Sequence, residues 1–280
     1  MRVLLTGAAG LTGGAVSRAL LTRGHETVGL VRRPESLAML PRDVRGIVGD
    51  CRDALALRDA LRGCEALVHG AGITLGADVA ATPGLGDLAS VVVVSSAGVY
   101  SRHRASAAAY RSGEDALRAA APRATVIRPT MIYGSPRDRN IHHVIAFARR
   151  FGFVPLFADG RARVQPIHYE DLGNAIAALV GSEPAATVDA GGERALTVRA
   201  LAEEIFRVLG RPPRVIRVPA APALAAARLM DTIRHTRFAE RIERLSEDRG
   251  VDNARLLLLT GVSLRPFADG CAAEAREMLG

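Results

Sequence analysis

A short apolar strand that breaks at once into a glycine-spaced turn constrains this chain more than any other feature. Val3-Leu4-Leu5 runs into Thr6-Gly7-Ala8-Ala9-Gly10-Leu11-Thr12-Gly13, and Leu11, Ala15, Val16, Ala19 and Leu20 then repeat at helical spacing. The pattern predicts a strand, a tight turn and a helix packed back on the strand. Gly7 lets the chain leave the strand sharply, Gly10 leaves bare backbone beside Ala9 for a pyrophosphate to approach, and Gly13 lets helix and strand lie close. The N–H groups of Leu11, Thr12 and Gly13 open the helix with a partial positive charge suited to phosphate. The strand, turn, helix context separates this dinucleotide cradle from an ordinary glycine-rich turn.

At 280 residues, 49% hydrophobic and 24% charged, the chain can bury a full core and still carry a second, smaller lobe. The glycine turn interrupts residues 1–20 where a signal peptide would need an apolar run, and no 18-residue apolar stretch occurs. The expectation is a cytoplasmic protein without a membrane span. Cys51, Cys64 and Cys271 are scattered and odd in number, which suits reduced thiols and argues against a zinc ribbon. His142 and His143 are adjacent, so on a helix they diverge by about 100° rather than share a metal. All 37 basic residues are arginine, since the sequence contains no lysine. The formal charge of +8 is carried by dispersed arginines with only 4% aromatics, which favours an anionic small molecule over nucleic acid.

Strands expected near 2–6, 27–31, 44–48, 66–70, 91–95 and 124–128 alternate with helices near 11–22, 53–62 and 106–121. Val91-Val92-Val93-Val94 and Ala124-Thr125-Val126-Ile127 are continuous and β-branched, as strands buried on both faces should be. The fold class is therefore α/β, a Rossmann-type doubly wound parallel sheet, with a trimmed crossover over 72–90. After Pro129 loops, prolines and helical patterns near 138–150, 169–181, 197–209 and 221–245 suggest a smaller C-terminal substrate lobe. The boundaries read as 1–132 for the dinucleotide domain, with returning segments near 164–192, and 133–280 mainly for the substrate lobe.

The second strand ends on Gly29-Leu30-Val31-Arg32-Arg33. An acidic residue at that end would bind a free ribose 2′-hydroxyl and repel a 2′-phosphate, whereas forked guanidinium groups grip phosphate. Arg32 and Arg33 therefore favour NADP(H) over NAD(H). Asp50 and Cys51, after the third strand, are placed to border the adenine, although Asp50 could instead cap the helix that begins near Asp53.

With these residues in view the chain resembles an extended or atypical short-chain dehydrogenase/reductase of the NAD-dependent epimerase/dehydratase group, over essentially its whole length. The resemblance rests on Thr6–Gly13, Gly49-Asp50, Leu67-Val68-His69-Gly70-Ala71-Gly72, Val94-Ser95-Ser96-Ala97-Gly98-Val99-Tyr100 and Ile127-Arg128-Pro129-Thr130-Met131-Ile132-Tyr133-Gly134. Gln165-Pro166-Ile167-His168-Tyr169-Glu170-Asp171-Leu172 and Pro266-Phe267-Ala268-Asp269-Gly270 are similar to later family stretches. It implies cofactor contacts at Gly70, Ala71, Pro129 and Ile132, and a dimer as the family's habit. It also implies a Ser or Thr at the end of the fifth strand, matched by Ser96, and a Tyr-x-x-x-Lys pair on the next helix.

The lysine has no match. If Tyr110 is the family's tyrosine, Glu114 stands one helical turn on, in the lysine's place; if Arg111-Ser112-Gly113 aligns with Arg-Ser-Lys, then Gly113 replaces it. A carboxylate beside Tyr110 would raise a phenol pKa of about 10, leaving a poor base that still donates a proton, as carbonyl reduction requires. Arg104, Arg111 or His103 could supply charge from the adjoining loop. Ser96 and Tyr110 are the catalytic candidates, with a strand-end hydroxyl and a packing tyrosine as the plain alternatives.

Arg137, Arg139, Arg161 and Arg163 could clamp an anionic substrate, while Asp138 could cap the following helix; His168 falls in the family's substrate loop or at a helix start. The leading expectation is an NADP(H)-dependent oxidoreductase that reduces a carbonyl of a polar or nucleotide-sugar-like molecule. Two others compete with it: a cofactor-binding sensor or structural subunit, and an epimerase- or dehydratase-like enzyme that uses its cofactor without net turnover.

Overall fold

The computed structural model describes all residues except 139, 158, 183–184, 220, 223, 226, 229–230, 232–246 and 279–280, and for 104 and 157 only the backbone. The helix expected over 221–245 lies largely outside the described residues. The chain divides into two compact units, Met1–Pro129 with Tyr169–Ala190 and Asp252–Leu264, and Thr130–His168 with Gly191–Val251 and Arg265–Gly280.

The strands in chain order are β1 (Arg2–Thr6), β2 (Glu26–Val31), β3 (Arg45–Val48), β4 (Ala66–His69), β5 (Ser90–Val94), β6 (Thr125–Pro129), β7 (Ile132–Tyr133), β8 (Val154–Phe157), β9 (Arg163–Val164), β10 (Ile167–His168), β11 (Thr187–Ala190), β12 (Leu196–Thr197) and β13 (Val215–Val218). The helices are α1 (Leu11–Thr22), α2 (Ala54–Ala60), α3 (Gly76–Ala80), α4 (Arg104–Ala120), α5 (Ile141–Phe151), α6 (Tyr169–Leu179), α7 (Val198–Val208), α8 (Ala254–Thr260) and α9 (Phe267–Glu277).

The first unit is a seven-stranded sheet in the order β11-β6-β5-β4-β1-β2-β3, with every pairing parallel. The chain builds outward from β1 in both directions, so the order reverses between β1 and β4, where an open α/β sheet leaves a crevice at the strands' carboxyl ends. Leu4, Leu67, Val93 and Val126 are fully buried in the core, as the unbroken apolar runs of these strands require. The seventh strand, β11, escapes a sequence reading because Thr187-Val188-Asp189-Ala190 is short and alternates half-buried and buried positions at a sheet edge. The crossover over 72–90 is trimmed as expected, to α3 between single turns at Ile73–Leu75 and Leu85–Asp87. Close packing explains the trimming: a Cβ on Gly76 would overlap Gly113, and one on Gly113 would overlap the carbonyl of Ile73. α1 and α6 likewise approach closely, with Gly173 against Ala15.

Among the described residues the second unit pairs β7 with β10 and β8 with β13 in parallel and β9 with β12 antiparallel. Its core gathers Tyr133, Ile141, Ile145, Leu201, Ile205, Phe206 and Phe267. Local chemistry sets the helix ends: Thr197 Oγ accepts from Ala200 N at 3.0 Å at the start of α7, and α5 stops at Gly152 in the left-handed region, φ +73. The opening segment of the first unit ends at Pro129, and Tyr169–Ala190 and Asp252–Leu264 return to it.

Candidate functional site

In the first unit the carboxyl ends of β1, β2 and β3 enclose a cavity of about 320 Å³ lined by Gly7, Ala9, Gly10, Arg32, Arg33, Asp50, Cys51 and Ala71 among others. Gly7 has φ +74, and a Cβ there would stand 2.7 Å from the carbonyl carbon of Gly70, so only glycine fits the turn. Gly10 N donates to Gly7 O at 3.0 Å, and a Cβ on Gly13 would overlap that same oxygen. No side chain caps the N-terminus of α1 and its first turn carries no acidic residue, which leaves a polarised helix end for an anion. Leu11, Thr12 and Gly13 form that end, and Gly70 underlies Gly7; none of the four lines the cavity.

The floor is braced by a buried imidazole. His69 is fully buried; its Nδ1 lies 2.9 Å from Thr6 Oγ and its Nε2 3.1 Å from Gly72 O. Burial lowers its pKa to about 4. The neutral ring with its proton on Nε2 satisfies both contacts, donating to Gly72 O and accepting from Thr6. Thr6 Oγ in turn accepts from Gly70 N at 3.2 Å and Ala71 N at 3.3 Å, tying the loop after β4 to the end of β1.

Three residues that the sequence reading passed over also line the cavity: Ser36, Arg52 and Leu75. Arg52 grips Asp50 with two guanidinium nitrogens, at 3.0 Å from Nε and 2.6 Å from Nη2 to Oδ2. These hydrogen bonds lower the Asp50 pKa to about 2. Asp53, not Asp50, caps α2, accepting from Leu55 N and Ala56 N. Arg33 and Glu35 make an exposed pair at 3.5 Å. The i, i+2 spacing of Asp50 and Arg52 was a signal available in the sequence.

At the carboxyl end of β5, Ser96 is half-buried and its Oγ accepts from Gly98 N at 3.0 Å, which leaves its O–H proton for another acceptor. Tyr110 packs its ring over Gly98, where a Cβ would meet Tyr110 Cε2 at 2.5 Å, and adds to the main core. The Glu114 carboxylate is taken up by partners just after β5, on β6 and on its own helix. It is 1% exposed and accepts from Ser95 Oγ at 2.5 Å, Arg128 Nε at 2.9 Å and Nη2 at 2.6 Å, and Arg118 Nη1 at 3.1 Å. Burial opposes its charge, but these donors outweigh burial and hold its pKa below the ordinary carboxylate value. Gly113 has no room for a lysine, and Glu114 is a salt-bridge partner. Arg111, considered as a charge source, donates to Val99 O at 2.6 Å.

The second unit rearranges the substrate candidates. Arg137 and Arg161 are exposed, with Arg161 3.9 Å from Asp159; Arg139 lies outside the described residues. Asp138 accepts from Asn140 N at 2.6 Å and His142 N at 3.3 Å, so it caps the start of α5. His168 is buried rather than on an open loop: β10 places it beside Tyr133, ring centroids 5.4 Å apart, and Gly270 of α9 closes over both. Burial and the Asp138 carboxylate raise the pKa of Glu274, whose Oε2 accepts from Gly134 N at 3.1 Å. Pro129 closes β6 and Ile132 pairs with Ile167 on β10; neither lines the cavity of the first unit. Among the described residues no group of three or more His, Cys, Asp or Glu could hold a metal ion, and no helix is long and apolar enough to cross a membrane.

Residues 7–145 match the NAD(P)H-binding family. The chain is 32% identical over 246 residues to the ceramide reductase of Caulobacter vibrioides, covering 82% of this chain and 77% of that protein. Its fold is similar to the UDP-glucose 4-epimerase of Thermotoga maritima solved with UDP-glucose, with a TM-score of 0.77 at 14% identity, covering 100% of this chain and 99% of that one. It is also similar to the dTDP-glucose 4,6-dehydratase DesIV of Streptomyces venezuelae with NAD bound, with a TM-score of 0.75 at 22% identity, covering 100% and 97%. The parallel sheet, the glycine turn and these likenesses together make the chain a member of the NAD(P)-binding, Rossmann-fold short-chain dehydrogenase/reductase family, with structural neighbours in the epimerase/dehydratase group, and an oxidoreductase-like protein.

Proposed function

We propose that this protein is an NADP(H)-dependent reductase acting on the carbonyl of a polar small molecule. The observation that carries the cofactor preference is the clustering of Arg32, Arg33 and Ser36 in the cavity at the end of β2, with the nearby Asp50 carboxylate already gripped by Arg52. A ribose 2′-phosphate there would meet forked donors and no free carboxylate. The Gly7–Gly13 turn and the uncapped start of α1 would hold the pyrophosphate, with Gly70 and Ala71 beside it, and Asp50 and Cys51 would border the adenine. The bound dinucleotide, when reduced, would supply hydride. Ser96, whose O–H proton is left to donate, would hold the substrate oxygen. Arg137 and Arg161 are exposed and would suit an anionic group.

Titration with NADPH and NADH tests the preference. NADPH should bind more tightly, and Arg32→Ser/Arg33→Ser should weaken it by roughly 10–100-fold, from about 1.5–3 kcal/mol of charge-assisted hydrogen bonding, while leaving NADH affinity alone. Equal affinities, or a double variant with intact preference, would refute it. Dinucleotide oxidation is then followed across a carbonyl panel that includes nucleotide sugars and, given the name of the C. vibrioides relative, ceramide-like lipids. Tight binding with no turnover on any of them would favour a cofactor-binding subunit. Product epimerised or dehydrated without net oxidation would favour internal redox chemistry.

A further inference from the structure

The lysine-free chain lacks the partner that a catalytic tyrosine ordinarily uses, yet another phenol stands at the carboxyl edge of the sheet with a cation against its oxygen. Tyr100 closes the single turn after β5 and is 57% exposed. Arg128, from the end of β6, donates to the Tyr100 hydroxyl oxygen at 2.8 Å, and its guanidinium carbon lies 5.3 Å from the centre of the tyrosine ring. The hydroxyl donates to Asp189 of β11, whose two carboxylate oxygens both lie 3.0 Å away. Three adjacent strand ends, β5, β6 and β11, therefore converge on one phenol oxygen. Arg128 is itself fixed: two of its nitrogens go to Glu114 of α4, which Arg118 and Ser95 also hold, while Arg111 of α4 anchors the turn through Val99 O. Such bracing exceeds what an exposed tyrosine needs for packing, and it lies on the edge where ligands of open α/β sheets bind.

We propose that Tyr100 is the proton donor to the substrate oxygen, with Arg128 in the charge-stabilising role of the missing lysine. The assignment rests on the reductase reading above. The reduced dinucleotide, when bound, would supply hydride to the substrate carbon, and the carbonyl π pair would move onto oxygen. The Tyr100 O–H bond breaks, its proton passes to that oxygen, and the electron pair left on the phenolate faces the Arg128 guanidinium. Solvent returns the proton to the exposed phenol.

Burial raises the Tyr100 pKa, Arg128 pulls it back, and the Asp189 carboxylate raises it again, with the net above the ordinary tyrosine value. Asp252 lies in the field of Asp189. A phenol held protonated into alkali suits reduction and opposes the reverse oxidation.

The chain has four tyrosines and no tryptophan, so phenolate absorbance can be titrated cleanly on the apoprotein. Tyr100→Phe should remove one alkaline transition, and Asp189→Asn should move that transition to lower pH by removing the neighbouring negative charge. On the most active carbonyl substrate, Tyr100→Phe should lower kcat by roughly 10²–10⁴-fold with NADPH affinity intact, a larger loss than Tyr110→Phe causes. Asp189→Asn should shift the alkaline limb of kcat/KM in the same direction as the phenolate transition. A Tyr100→Phe enzyme with wild-type kcat and pH profile, or a larger loss on Tyr110→Phe, overturns the assignment and leaves the reductase reading standing. Absence of carbonyl reduction by the wild type overturns both.

Discussion

Replacing Glu114 with glutamine should cost the first unit about 3 kcal/mol at neutral pH. The carboxylate is 1% exposed and receives four hydrogen bonds, two of them from Arg128, whose side chain is 16% exposed. Glutamine keeps the volume and one acceptor but removes the charge, so Arg128 and Arg118 are left facing each other around an uncharged amide. Breaking a buried ion pair from one side costs about 3–5 kcal/mol. The lower end applies because Tyr100 still accepts from Arg128 and Arg118 retains 34% exposure. In a chain of this size about 3 kcal/mol corresponds to roughly a 6 °C fall in Tm. Urea denaturation followed by a probe in the first unit measures it directly. The effect has a pH signature. A carboxylate whose folded pKa lies below its unfolded value of about 4.3 contributes its stability above that value and loses it as pH falls through the folded pKa, so the variant and the wild type should converge in acid. A cycle with Arg128→Gln should show coupling of at least about 1 kcal/mol. A loss below about 1 kcal/mol, or strictly additive singles, would refute the view of Glu114 as the anchor of this network.

Other positions give sharper signs. His69, held neutral with its pKa lowered to about 4, should make the wild type lose about 3 kcal/mol as pH falls from about 6.5 to about 4, because the unfolded chain takes up the proton first; His69→Gln should flatten that slope in a urea-midpoint series. For Glu274 the sign reverses: its raised pKa means that the folded state keeps a proton the unfolded chain releases above about pH 4.3, so stability falls toward alkali. Glu274→Gln imitates the neutral form and should be more stable than wild type at about pH 8 by thermal denaturation, and equal stability there would contradict the assignment. Gly13→Ala places a methyl group on the Gly7 carbonyl oxygen, so dinucleotide affinity measured by titration should drop at least about tenfold; unchanged affinity would show that the turn relaxes without cost.

Much of the first unit was legible in residue order because its signals are local. The turn after β1 depends on glycines within seven positions, and β5 and β6 announce themselves by unbroken β-branched runs. The cavity arginines follow from where β2 ends. β11 was not legible, since four residues of mixed polarity become a strand only when β6 offers its edge. The surroundings of His168 and Glu114 were not legible for a related reason: helical and loop spacing tells which residues neighbour them along the chain, while their environment comes from elsewhere.

What the sequence determined by itself is the dinucleotide fold, the arginine pair where the second strand ends and the absence of any lysine. The tertiary structure alone decided what the residues around that gap do. It turned Glu114 toward Arg128, 14 positions away, and brought Asp189 to Tyr100 across 89. Backbone conformation responds to near neighbours, whereas the protonation and partners of a buried side chain are set by whichever strands the sheet lays beside it.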